Sequence, residues 1–209
     1  MDQGLADRFI QASRLEQLIG GGRARRYGLV NRALKSGELV RLHRGLYVLA
    51  NRYRSQPCHP FAVAQALAPG SFVSFETALA YHGWIPERVF TIASVVPGRK
   101  SRQYEDEVLG GYSFHPLAVH RGFFLELVQR VEVNGQVALV AEPFRALMDL
   151  VCLRKISWKG MAWLLENFRI DSELLGSVKK NDIATLEQVY KHKRMKSFLS
   201  SFRQELRLD

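Results

Sequence analysis

The spacing of apolar residues changes character along the chain, and each change marks an element. Leu5, Phe9, Ala12, Leu15 and Ile19 fall near helical spacing, which predicts one or two helices within residues 4–19, stopped by Gly20-Gly21-Gly22. A further helix is predicted from about Arg25, because Tyr27, Val30, Ala33 and Leu34 recur at three- and four-residue steps and form one apolar face. Arg25, Arg32 and Lys35 lie off that face, with Asn31 near its border. Ser36-Gly37 ends this helix, glycine supplying the left-handed conformation of a C-terminal cap. The pattern then changes: residues 39–43 and 46–50 are rich in Leu, Val and Tyr and flank Arg44-Gly45, a hairpin signal. Alternation in the first run puts Val40 and Leu42 on one side and Arg41 and His43 on the other.

Residues 51–60 are polar, carry two prolines and predict a linker. Beyond it, residues 61–68 predict a short helix ended by Pro69-Gly70, and Ser74 is placed to cap a second one that ends at Gly83. Strands are predicted over 89–96, 112–117, 127–133 and 137–141, with Asn134-Gly135 a strong hairpin turn between the last two. The charged segment RKSRQYEDEVLGG between the first two predicts an exposed loop or hairpin arm. From Pro143, which suits a first helical turn, the pattern is wholly helical. Ala146, Leu147, Leu150 and Val151 make a buried stripe, and further helices are predicted over 158–168, 183–192 and 195–206. The fold class is therefore α+β. An N-terminal winged helix-turn-helix (residues 1–54) precedes a small antiparallel sheet with helices and a helical C-terminus (residues 55–209).

Charge sharpens this picture because it is local. Residues 23–54 hold nine Arg or Lys and one acid, so they carry +8 of the net +10, while the other 177 residues sum to +2. A helix followed by a basic hairpin suits double-stranded DNA, since each phosphate neutralised by Lys or Arg releases counterions. Arg41, His43, Arg44, Arg52 and Arg54 fit that role. Arginine and asparagine on a helix in the major groove read guanine and adenine edges, mostly from the first turns. Arg25, Arg26, Asn31 and Arg32 are therefore the readout candidates, with Arg23 and Lys35 completing the basic set. The residues from 176 onward net +4, with KHKRMK at 191–196 a second basic cluster, read as a solvated corner between helices.

Other chemistry leaves little trace. Cys58 and Cys152 stand far apart without partner spacing, which argues against a disulfide scaffold or a zinc module and fits a reducing cytoplasm. His59, His82, His115 and His120 lack the spacing that places two metal ligands on one face, and His82 reads as a structural residue at a helix end. Glu105, Asp106 and Glu107 with Glu126 invite comparison with a nuclease cluster, but no strand carries the accompanying acid-x-Lys pattern. Ser74 and Ser101 lack a nucleophile elbow, and the GGGR turn lacks the strand and GKS/T of a phosphate loop. No catalytic residue, cofactor or metal is expected. No apolar run approaches the roughly eighteen residues of a membrane span, so no membrane partner is expected either.

Three stretches together carry a family resemblance: GELVRLHRGLYVL (37–49), SFVSFETALAYHGWIP (71–86) and EPFRALMDL (142–150). Their order and spacing resemble the AbiEi-type antitoxins of type IV toxin–antitoxin systems across roughly residues 20–155. The residues that carry over are Arg44, Gly45 and Tyr47 in the wing, His82-Gly83, and Arg145 to Asp149-Leu150. The resemblance implies a winged-helix transcriptional regulator that binds inverted repeats at its own promoter. Its larger C-terminal part would counter a cognate nucleotidyltransferase toxin. Arg145 and Asp149 stand one helical turn apart and are read as an intrahelical ion pair rather than a toxin-facing site. A two-fold operator demands two heads about one helical turn apart, so a homodimer is expected, formed in the body or only on DNA. The rival readings are a winged module that binds protein or RNA, and a nucleic-acid-processing enzyme delivered by its winged head.

Overall fold

The computed structural model describes residues 6–106 and 109–206, so Leu5 and Glu107 lie outside the described residues. The protein is α+β, and its chain divides into two compact units: residues 1–69 with 132–137, and residues 70–131 with 138–209.

In the first unit a two-residue strand β1 (Ile10–Gln11) leads into α1 (Ala12–Ile19) and α2 (Arg23–Lys35). The hairpin β2 (Leu39–His43) and β3 (Leu46–Leu49) follows. The three strands pair antiparallel in the order β1-β3-β2. Strand, helix, turn, helix and hairpin, with the first strand joined to the hairpin's second, is the arrangement of a winged helix-turn-helix. Sequence pattern extends α1 backwards through β1, because two residues are too few to show alternation.

Between the helices Gly20 (φ +64°) and Gly21 (φ +77°) take left-handed conformations that a side chain would resist. At the far end of α2, Gly37 (φ +63°) closes a Schellman cap: Glu38 N donates to Ala33 O at 2.9 Å and Gly37 N to Leu34 O at 3.2 Å. The predicted alternation of β2 fails. Its register shifts between Arg41 and His43, and this bulge lets Leu39 and Leu42 both point inward while Val40 is left 37 % exposed. Leu46 and Val48 of β3 complete the hairpin's buried side. A 3-10 turn (Asn51–Tyr53) then leads to α3 (Pro60–Leu67), where Pro60 opens the helix and His59 Nδ1 accepts from Phe61 N at 3.2 Å.

The second unit begins with β4 (Phe72–Val73) and α4 (Phe75–Tyr81), followed by β5 (Thr91–Val96), β6 (Arg102–Asp106) and β7 (Gly110–Pro116). After the hairpin β8 (Val128–Val133) and β9 (Gln136–Ala141), whose turn end at 132–137 is counted with the first unit, come five helices: α5 (Pro143–Leu153), α6 (Met161–Phe168), α7 (Ser172–Gly176), α8 (Lys180–Val189) and α9 (Lys193–Glu205). The strands form one six-stranded sheet in the order β6-β7-β5-β4-β9-β8. This sheet is mixed rather than antiparallel throughout. β4·β5 and β6·β7 are antiparallel, whereas β5·β7 and β4·β9 are parallel. The charged arm is indeed a hairpin, but its second strand, not its first, takes the edge of β5. Local turn signals report which strands follow one another and are silent about such non-local pairs. At the β8–β9 turn Asn134 (φ +52°) and Gly135 (φ +69°) both adopt positive φ, as the type I′ turn of an Asn-Gly pair requires.

Of the helices, α7 has no apolar period to betray it and is held by its cap, Asp171 accepting from Glu173 N at 2.8 Å. α8 stops at Val189 because Tyr190 turns extended and bridges to Val119. Among the described residues no helix is long and apolar enough to cross a membrane.

Candidate nucleic-acid interface

The eleven basic or polar residues that sequence marks for DNA do not all share one environment. On α2, Arg23, Arg25, Arg32 and Lys35 are exposed and Asn31 is half-buried. On the hairpin, Arg41, His43 and Arg44 are exposed. Among the described residues, Arg25, Arg32, Lys35, Arg41 and Arg44 form no ion pair with a carboxylate. Their charges are therefore available to an anionic partner.

Arg26 behaves differently. Its Nη1 donates to Gly21 O at 2.8 Å and its Nη2 lies 3.6 Å from Glu16 Oε2, so it ties the turn and α1 to α2. It faces inward, half-buried, and leaves the readout set. Arg54 is a second departure. It is 9 % exposed, and its guanidinium donates to the carbonyls of Gln56 (3.2 Å), Ala6 (3.3 Å) and Asp7 (3.0 Å). The Asp7 carboxylate in turn accepts from Ser55 N at 2.9 Å and Ser55 Oγ at 2.6 Å, and these bonds hold its pKa below the usual carboxylate value. Arg54 therefore fastens the start of the chain to the segment after the hairpin. Arg52 is intermediate: exposed, stacked 4.9 Å from the Tyr53 ring centroid, and 3.4 Å from Ser36 O.

The wing is short and braced. Gly45 (φ +85°) turns the hairpin, and its carbonyl accepts from Ala12 N at 2.8 Å, fixing the tip to the start of α1. Arg44 is thus displayed from a turn that the rest of the unit holds still.

The predicted apolar face of α2 holds in part, with Val30, Ala33 and Leu34 half-buried. Tyr27, expected inside, is 72 % exposed. Arg26 and Leu29 are half-buried beside these three, and no residue of α2 is fully buried. With apolar residues at 27, 29, 30, 33 and 34, the helix offers more than one stripe, and periodicity alone does not choose between them. α1, α2 and β3 leave a groove of about 650 Å³ lined by Leu15, Ala24, Tyr27, Val30 and Tyr47 among others.

In the second unit, the residues of the third and second motifs meet in the core. Arg145 and Asp149, both fully buried, pair along α5 with Nε to Oδ1 at 2.9 Å. Tyr190 Oη donates to Asp149 Oδ1 at 2.7 Å and Ser74 Oγ to Oδ2 at 2.8 Å, while Arg145 Nη1 donates to Glu126 O at 2.7 Å. Ser74 occupies the N-cap position of α4, but its hydroxyl serves Asp149 instead of the helix end. The Arg145 guanidinium also lies over the rings of Phe72 and Tyr190, at 5.1 and 5.7 Å. Burial opposes its charge most strongly, but the Asp149 charge, Tyr190, the hydrogen bond to Asp149 and Cys152 together outweigh burial and raise its pKa. Burial, then the Asp149 charge, push the Tyr190 phenol well above its ordinary value of 10. A serine, an aspartate and a tyrosine in hydrogen-bond contact resemble reacting groups, yet none is exposed and the cluster serves the core. The roles of Ser74 and Tyr190 left no signal in sequence, since their partner lies 75 and 41 residues away.

The histidines are structural where their bonds are seen. His82 Nε2 lies 3.0 Å from Ala141 O at the end of α4, and burial lowers its pKa below 6.5. His59 caps α3, and His115 packs edge-on against Phe75 at 5.6 Å, each likewise lowered by burial. Both cysteines are free, and burial pushes the Cys152 thiol up to about 11. Among the described residues no three His, Cys, Asp or Glu side chains gather as a metal site would require. In the KHKRMK cluster, Lys191, Lys193 and Lys196 are exposed, whereas Arg194 donates to the carbonyls of Val151, Cys152 and Ile156 at the end of α5. Compared with models of known protein families and with curated proteins, the chain matches none.

Proposed function

We propose that the protein is a DNA-binding transcriptional repressor of the antitoxin type, acting in the cytoplasm on the operator of its own operon. The observation that carries the reading is a helix-turn-helix and braced wing whose exposed cations, Arg25, Arg32, Lys35, Arg41 and Arg44, have no carboxylate partner among the described residues. Such cations supply affinity for any duplex through counterion release. Asn31 and Arg32 supply preference, by bidentate contact with adenine and guanine edges in the major groove. Two copies of the chain would meet the two halves of an inverted repeat. The resemblance to AbiEi-type antitoxins adds the second half of the proposal: the C-terminal body counters a nucleotidyltransferase-type toxin without enzymatic activity of its own.

The test is binding, by fluorescence anisotropy at graded salt, to a duplex spanning the region upstream of the chain's own reading frame and to a scrambled duplex. Phosphate contacts by the four cations Arg25, Lys35, Arg41 and Arg44 give a slope of about −3.6 in log K against log salt on both duplexes, with tighter binding to the first. No binding to either at low salt would overturn the proposal and favour a protein-binding winged module.

A further inference from the structure

At the rim of the groove that α2 leaves with α1 and β3 stands an exposed residue that neither charge nor motif singles out. Tyr27 stands in the first half of the helix, 72 % exposed, and among the described residues it makes no hydrogen bond, ion pair or ring contact. Next to it, Gly28 has nothing within 4 Å of the position a Cβ would take. Asn31 follows Tyr27 by one turn, and Arg32 follows Gly28 by one turn. Side chains four apart on a helix project side by side, displaced by about 6 Å along its axis. Successive bases on one strand are displaced by about 3.4 Å, so Tyr27 and Asn31 match positions two bases apart. The bare backbone at Gly28 lets this part of the helix approach the groove floor closely, which brings a side chain as long as tyrosine against the base edges.

We propose that Tyr27 is a specificity-determining residue of the operator interface, packing its ring against the 5-methyl group of a thymine two bases from the base read by Asn31. The inference rests on the DNA-binding reading given above. The chemistry favours a thymine because the major-groove edge of that base is the one that presents an apolar group. A tyrosine ring, unlike the arginines around it, has an apolar surface to bury there and gains little from a phosphate. Its hydroxyl is not required for the contact, and the Tyr27→Phe variant keeps the packing surface.

The experiment begins with duplexes selected by the full-length protein from a random pool. The thymines of the recovered sequence are then replaced one at a time by uracil, which removes the 5-methyl group and nothing else. Wild-type protein should lose about fourfold in affinity at one such position, the worth of one buried methyl group. Tyr27→Phe should show the same sensitivity. Tyr27→Ala should bind the thymine duplex at least fourfold more weakly and lose nothing further on the change to uracil at that position. Because Tyr27 is largely exposed, the alanine variant should fold, as its circular dichroism and melting will report. Equal sensitivity of wild type and Tyr27→Ala to uracil would overturn the proposal. So would a loss in Tyr27→Ala that is the same on selected and random duplexes, which marks a backbone contact. If wild-type protein recovers no preferred sequence while the scrambled duplex still binds, operator reading itself fails and Tyr27 has nothing to specify.

Discussion

Helices α2 and α5 are of similar length and both carry arginine, yet they treat it in opposite ways. α5 buries nine of its eleven residues, Arg145 and Asp149 among them, and α2 fully buries none of its thirteen. In α5 the charge is taken out of water, and every stabilising contact it makes is to its own fold. In α2, Arg25, Arg32 and Lys35 stay hydrated and, among the described residues, without a carboxylate partner, so on the proposed reading a polyanion would meet them without first breaking an ion pair. The difference also sets how each helix is held. α5 is fixed by its own packing, whereas α2 depends on its Schellman cap, on Arg26 and on the hairpin behind it. A helix that offers its surface to a partner gains little stability from burial and must borrow it from neighbours.

The largest effect that would break this comparison lies in α5. Asp149→Ala leaves Arg145 charged in a fully buried site and deprives Tyr190 and Ser74 of their acceptor. The expected loss is about 3–5 kcal/mol, read from the urea midpoint of the full chain. Replacing the pair together, as Arg145→Met with Asp149→Leu, should recover much of that loss, since well-packed apolar residues can substitute for a buried pair. If Asp149→Ala changes stability by less than about 1 kcal/mol, the cluster is not what organises this core.

Sequence made the outline of both helices legible from three- and four-residue apolar steps, with Ser36-Gly37 marking the end of α2 and Pro143 the start of α5. It also pointed to the Arg145–Asp149 pair, because four-residue spacing on one helix is a local fact. What it could not supply was non-local. The hydroxyls that complete Asp149 come from Ser74 and Tyr190, and the parallel neighbours of β5 and β4 are set by chain return rather than by any turn. On α2 the failure was one of degeneracy. Two overlapping stripes satisfied the same period: Val30, Ala33 and Leu34 are half-buried as predicted, while Arg26 and Leu29 join them and Tyr27 is left exposed. Alternation misled in β2 because a single bulge reverses the side of every residue beyond it. Among the cations, a run of nine basic residues looked uniform, though folding assigns Arg26 and Arg54 to internal bonds and leaves others open.

A second, smaller effect sharpens the claim that α2 borrows its stability. Leu42 is buried on the hairpin, whereas Val30 of α2 is only half-buried. Leu42→Ala should cost about 2–3 kcal/mol and Val30→Ala under about 1 kcal/mol, both measured by thermal melting of the full chain followed by urea unfolding. The reverse order would mean that the helix, and not the wing, holds the first unit together.

The smallest effects on stability are the most informative about function, because they separate arginines of the same charge run. Arg25→Ala, Arg32→Ala and Arg44→Ala remove exposed charges, so stability should stay within about 0.5 kcal/mol of wild type. Each that contacts a phosphate should make the slope of log K against log salt shallower by about 0.9 on the upstream duplex. Arg54→Ala should do the opposite: it strips three carbonyls of a donor and lowers stability, while the slope stays as it was. Arg26→Ala belongs with Arg54, since its guanidinium holds Gly21 and faces Glu16. If all five variants flatten the slope alike, the charges act as an undivided cloud, and the contrast between displayed and internal arginine has no bearing on binding. If the three exposed positions alone do so, the geometry of one helix and one short wing has selected which charges of a basic run are left for DNA.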